Sequence, residues 1–157
     1  MRIALGCDHR GFPYKDGMIQ ALTEDGHEVL DLGTSSTAPV DYPDSARLVG
    51  VAVRDRLVDA GILICGSGAG VSIAANKIRG VRAALCHDLF TARQSREDDD
   101  ANVLCLGTGV VSLETAIALA RTFVGASFSH AERHERRLAK VLELEASNPP
   151  PLDGKLL

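Results

Sequence analysis

The segment Ile64-Cys65-Gly66-Ser67-Gly68-Ala69-Gly70-Val71-Ser72-Ile73 holds the densest chemistry in the chain. A thiol stands directly before a glycine-rich turn. Three glycines let the main chain approach an oxyanion closely. The helix that should follow offers free N–H groups and the positive end of its dipole. A thiolate is stabilised at such a place, and Ser67 adds a hydroxyl. The spacing is wrong for a dinucleotide fingerprint, and no Gly-Lys-Ser/Thr follows to make a P-loop. Alone, the pattern also suits a plain strand-to-helix turn over a buried cysteine.

Three other constellations could do chemistry. Cys7-Asp8-His9-Arg10-Gly11 sets an acid beside a base, although Asp8 also suits a helix cap and His9 a surface position. Arg133-His134-Glu135-Arg136-Arg137 places Arg133 and Arg137 one helical turn apart on one face. Two guanidiniums so placed suit a phosphate dianion; a solvated face with Glu132 and Glu135 as partners is the plainer alternative. Glu97-Asp98-Asp99-Asp100 puts four carboxylates where a helix should end, against its dipole. They form either a solvated turn or a turn that lends one or two carboxylates to a site. Neighbouring carboxylates point apart, and no spaced His/Asp/Glu set accompanies them, so no metal is expected.

The elements that must position these residues alternate along the chain. Strand-like apolar runs cover Arg2–Gly6, His27–Leu32, Ala60–Cys65, Val81–Cys86 and Val103–Leu106. Helical patterns cover Phe12–Glu24, Tyr42–Leu57, Val71–Lys77, Asp88–Glu97, Leu113–Val124 and Glu132–Glu145, with Thr34–Pro43 as a loop. Five strands each followed by a helix predict an α/β fold with a parallel sheet covered on both faces. In such sheets ligands bind beyond the carboxyl ends of the strands. That rule selects Cys7-Asp8-His9, Gly33-Thr34, Cys65-Gly66-Ser67, Cys86-His87-Asp88 and Gly107-Thr108-Gly109.

Composition sets the outer bounds. A chain of 157 residues allows one domain, expected over residues 1–146, with a loose Pro-rich tail over 147–157. With 45% hydrophobic residues the bulk of the chain is not disordered. A net charge of −4 argues against nucleic-acid and anionic-membrane partners. The 15 glycines and 4% aromatics suggest tight strand-to-helix turns. Four cysteines without a C-x-x-C pair, no export signal and no membrane-length apolar run point to the cytoplasm, where thiols stay reduced.

Taken together the segments resemble the type B ribose-5-phosphate isomerases, in the family that also holds the galactose-6-phosphate isomerase subunits. The resemblance rests on Gly6-Cys7-Asp8-His9-Arg10-Gly11-Phe12, Asp41-Tyr42-Pro43, Gly61 to Lys77, Gly80-Val81-Arg82-Ala83, Ala101-Asn102-Val103-Leu104 with Gly107, and Arg133-His134 with Arg137. It spans residues 2–145. It implies a Rossmann-like three-layer αβα sandwich with a five-stranded parallel sheet. It also implies a homodimer, in some members a tetramer, whose C-terminal helix reaches the partner and whose active sites are shared.

The implied reaction is aldose–ketose isomerisation of a sugar phosphate through a cis-enediolate, ribose 5-phosphate to ribulose 5-phosphate, without metal or cofactor. By the same resemblance Cys65 is the base, because Val71 occupies the position where one subgroup carries a catalytic Glu. The N–H groups of Ser67, Gly68, Ala69 and Gly70 hold the enediolate, with Gly66 in the same loop and the Ser67 hydroxyl near the transferring oxygens. Asp8 and His9 contact the sugar hydroxyls and phosphate, Tyr42 lines the pocket, and Arg133 and Arg137 clamp the phosphate.

Two departures stand out. Asp98 and Asp99 replace a His followed by Asn or Asp, of which the His is assigned to opening the sugar ring. Gly109 stands where an Arg is frequent. Asp98, or Asp8, would then open the ring, with Asp99 beside the substrate. The alternatives are a different substrate, a tetrose 4-phosphate or hexose 6-phosphate, or a non-catalytic sugar-phosphate binder.

Overall fold

The computed structural model describes residues 1–147, so the tail expected over 147–157 lies outside the described residues from 148 onward. The strands are β1 (Arg2–Cys7), β2 (Glu28–Asp31), β3 (Ala60–Cys65), β4 (Ala83–Leu85) and β5 (Val103–Gly107). The helices are α1 (Phe12–Glu24), α2 (Tyr42–Arg54), α3 (Ala69–Ala75), α4 (Leu89–Asp99), α5 (Leu113–Gly125) and α6 (Glu132–Ala146). All strand pairs are parallel, in the order β2-β1-β3-β5-β4.

Alternate residues of β1, β3 and β5 feed two cores, which is why these strands read as unbroken apolar runs. Ile3, Leu5, Ile62, Ile64, Leu104 and Leu106 meet Met18 and Leu22 of α1 and Leu119 and Phe123 of α5 on one face. Ala4, Leu63, Val103 and Cys105 meet Val49 and Val53 of α2 and Val71 and Ala75 of α3 on the other. The result is the expected three-layer sandwich. Helix α6 stands apart from both layers and packs against α4.

Most differences from the sequence reading are at element ends. Helix α2 stops at Arg54 rather than Leu57, because Arg56 turns left-handed (φ 56°) and closes the helix. There the Leu57 N–H donates to Ala52 O (3.0 Å) and the Arg56 N–H to Val53 O (3.1 Å), the paired bonds of a left-handed helix stop. Strand β4 keeps only Ala83–Leu85 of Val81–Cys86, since it is an edge strand paired on one side. Helix α3 begins two residues earlier than expected, at Ala69, on a left-handed Gly68 (φ 79°).

The chain moves outward from β1 to β2, then returns to place β3 on the other side of β1. The reversal leaves a crevice above the carboxyl ends of β1 and β3, where α/β sheets bind ligands. Cys7 and Cys65 end those two strands.

Candidate active site

Close backbone packing shapes this crevice. A Cβ on Gly11 would overlap the Ile64 carbonyl, so only glycine lets the start of α1 rest on the end of β3. The Asp8 carboxylate secures that turn, its Oδ1 accepting from the Arg10 and Gly11 N–H groups, each at 2.9 Å. Asp8 is buried and lines the cleft, but one of its oxygens is committed to the turn.

The loops after β3 and β5 are laced together in the same way. The Thr108 N–H donates to Cys65 O and the Gly109 N–H to Gly66 O, both at 2.9 Å. A Cβ on Gly107 would overlap the Ser67 peptide. Gly68 holds a positive φ, and a side chain there would run into Leu85 and Leu106. So constrained, the Gly68 N–H points at the sulfur of Cys65, with N···Sγ 3.1 Å. The Ala69 N–H donates to Ser67 Oγ at 3.3 Å. Of the four amides expected to hold an enediolate, those of Gly68 and Ala69 thus have acceptors in the protein. The Gly70 N–H belongs to the first turn of α3, where no intrahelical acceptor exists.

Above this loop lies a cleft of about 400 Å³, lined by Asp8, Arg10, Tyr42, Cys65, Gly66, Ser67 and Gly70. The Tyr42 ring covers Gly70 so closely that a Cβ there would stand 3.0 Å from the ring carbon Cζ. Cys65 is only 4% exposed, at the bottom. His9 lies beside the cleft, its Nδ1 at 3.2 Å from Val40 N and 3.3 Å from Val40 O, and so ties down the loop before α2. The other three thiols are in poor places for proton transfer. Burial pushes Cys7 up to about 11, and pushes Cys86 and Cys105 up as well.

Asp98, Asp99, Arg133 and Arg137 are elsewhere. Helix α4 starts at the carboxyl end of β4 and runs back across the sheet for 11 residues, roughly 16 Å at 1.5 Å per residue. Its last residues, Asp98 and Asp99, therefore lie at the edge opposite Cys65. Asp98 Oδ1 is 3.3 Å from Nδ1 of the buried His134, and Gln94 Nε2 donates to Asp98 Oδ2 at 3.1 Å. The Ser129 hydroxyl is 2.7 Å from the same His134 nitrogen. Arg133 and Arg137 are exposed on α6. The acidic run is partly answered by cations, with Asp100 on Arg82 at 2.6 Å. Asp88, another candidate, caps α4; hydrogen bonds from the Thr91 N–H and hydroxyl hold its carboxyl below the usual carboxylate range.

One chain thus unites Asp8, Tyr42, Cys65, Gly66, Ser67 and Gly70 around the cleft, with Gly68 and Ala69 in its turn and His9 at its side. It does not bring Asp98, Asp99, Arg133 or Arg137 to them. Arg10 is the cleft residue the motif reading passes over, although it stands between His9 and Gly11 in a quoted motif. Among the described residues, no three His, Cys, Asp or Glu side chains converge as a metal site requires.

Residues 3–141 match the sequence profile of the Ribose/Galactose Isomerase family. Ribose-5-phosphate isomerase B of Escherichia coli is 44% identical over 144 residues, 92% of this chain and 96% of that one. A putative sugar phosphate isomerase of Bacillus subtilis is 38% identical, over 94% of this chain and 99% of its own length. Among solved structures, ribose-5-phosphate isomerase B of Clostridium thermocellum superposes with a TM-score of 0.90 at 44% identity, covering 93% of this chain and 98% of that one. The Mycoplasma genitalium enzyme with bound ribulose-5-phosphate superposes with a TM-score of 0.88 at 40% identity, covering 94% and 97%.

Proposed function

Because this chain belongs to the ribose/galactose isomerase family, we propose that it converts ribose 5-phosphate to ribulose 5-phosphate with Cys65 as the base. It is an aldose–ketose isomerase. The single observation that carries the role of Cys65 is the Gly68 N–H aimed at its sulfur, at the floor of the cleft. A thiolate so held takes the C2 proton of the open-chain aldose and returns it to C1. The negative charge that develops on O1 and O2 meets the Gly70 N–H and the Ser67 hydroxyl, whose oxygen is placed by the Ala69 N–H it accepts from.

Phosphate clamping by Arg133 and Arg137, and ring opening where Asp98 rather than Asp8 performs it, need a second copy of the chain, as does a place for Asp99 beside the substrate. Those residues lie a helix length from Cys65 in their own subunit, so they act on a neighbour's substrate. A homodimer with shared sites meets that need. Helix α6 also leaves Val141, Leu142 and Leu144 at 49%, 43% and 61% exposure, apolar surface for a partner to cover. Among the described residues no helix is long and apolar enough to cross a membrane. The cytoplasm, where sugar phosphates are made and kept, is the compartment this reading assigns.

The test is proton exchange. In deuterated water the wild-type protein should put deuterium on ribulose 5-phosphate and on recovered ribose 5-phosphate, and Cys65→Ala should not. Undiminished exchange in Cys65→Ala removes the thiol from this role. Ribose 5-phosphate should also be preferred over erythrose 4-phosphate at least tenfold in kcat/KM. The reverse order would assign a substrate that needs no ring opening.

A further inference from the structure

We propose that Arg10 binds the phosphoryl group of the substrate and is a specificity-determining residue of the Cys65 cleft; the assignment rests on the isomerase reading above. The side chain is aimed by its own backbone. The Arg10 N–H donates to Asp8 Oδ1 at 2.9 Å, and its carbonyl accepts from the Thr108 hydroxyl at 3.1 Å. Pinned on both sides, the residue sends its side chain across Gly66. A Cβ on Gly66 would stand 2.6 Å from Arg10 Nε and 2.9 Å from its Cδ, so the glycine leaves the lane in which the arginine lies.

The guanidinium is a charge without a counter-charge. Among the described residues no carboxylate lies within ion-pair distance of it; several exposed arginines share that property, but of the arginines only Arg10 lines the Cys65 cleft. Asp8, the acid nearest in sequence, serves Arg10 through the main chain only. An exposed guanidinium at the rim and a nearly buried thiol at the floor divide the cleft by chemistry. The carbon skeleton that exchanges a proton goes down to Cys65. The doubly charged phosphoryl group remains at the rim, where a planar fork of donors can hold two of its oxygens. No atom of the reaction passes through Arg10, so its contribution is to binding.

Inorganic phosphate is the probe. On the Cys65→Ala protein, which keeps the cleft and does not turn over, titration calorimetry should give a phosphate Kd about tenfold to a hundredfold weaker once Arg10→Ala is added. Arg10→Lys should recover part of the loss. In the active protein Arg10→Ala should raise KM by a similar factor, with a much smaller fall in kcat. Unchanged phosphate affinity overturns the proposal. So does a fall in kcat at constant KM, which would place the guanidinium at the enediolate. The calorimetry reads binding alone, so it keeps its meaning even if the chain proves not to isomerise ribose 5-phosphate. A melting curve for each variant checks that the fold is kept.

Discussion

The two ends of the sheet carry comparable chemistry and are built on different principles. At the carboxyl edge, Cys65 and Ser67 sit in a loop that glycines and main-chain hydrogen bonds leave with one conformation. At the opposite edge, Asp98 and Asp99 end α4, while Arg133 and Arg137 stand exposed on a helix outside the sandwich. Reactive groups that must meet an enediolate within tenths of an ångström are set by the backbone. The charged groups proposed to reach a partner's substrate are instead displayed on the surface of a helix. On the proposed reading the first end is complete in one chain, and the second acts only across a subunit boundary.

The largest expected effect separates those two ends. Cys65→Ala should lower kcat by about a thousandfold, in the range for loss of a positioned base. The Arg133→Ala/Arg137→Ala double variant should be crippled through KM. Mixing the two inactive proteins after mild dissociation should then restore about a quarter of wild-type activity, since half the dimers are mixed and each holds one intact site. No recovery would mean that each chain completes its own site, and the contrast between the two edges would fail.

A smaller effect lies within the carboxyl edge itself. Gly68→Ala forces a Cβ into Leu85 and Leu106 at a positive φ, a backbone strain of about 1–3 kcal/mol. It should lower the urea midpoint and, by shifting the N–H that faces Cys65, lower kcat too. Gly109→Ala crowds only Gly66 O, at 3.1 Å and without a positive φ, and should lose clearly less than Gly68→Ala in the same measurements. Equal losses in both would show that general crowding, not the conformation of Gly68, sets the thiol.

How far the chain can be read in advance follows the same division. The central strands are legible because both their faces are buried and the apolar runs are continuous, as in Gly61-Ile62-Leu63-Ile64. The glycine turn is legible because its reason is local: Gly68 needs a left-handed φ. Helix ends are less so, since the stop at Arg56 depends on a non-glycine residue adopting a left-handed turn. Arg10 escapes a motif reading because its place over Gly66 arises from β1–β3 pairing across more than 50 residues of chain, as the register Cys7↔Ile64 shows. Asp98 is assigned from its place in a motif, which carries no information on distance. Only the course of α4 shows that it lies at the far edge, held by Gln94 and His134.

The smallest expected effect separates two thiols at one edge of the sheet. Cys7 ends β1 as Cys65 ends β3, and burial raises it from 9.0 to about 11. In the unfolded chain this thiol loses its proton near pH 9, while in the native protein it keeps it. The unfolded state therefore binds fewer protons between those values, and stability falls as pH rises through that interval. The contribution of Cys7 is fully present below pH 9 and lost above about 11. Cys86 and Cys105 act in the same direction, so the difference between proteins, rather than the absolute slope, isolates one thiol. Cys7→Ala should flatten the decline of the unfolding free energy between about pH 8.5 and 10.5, measured by urea denaturation at closely spaced pH values. Parallel curves would mean that Cys7 ionises alike in the folded and unfolded chain, and that burial does not hold its proton.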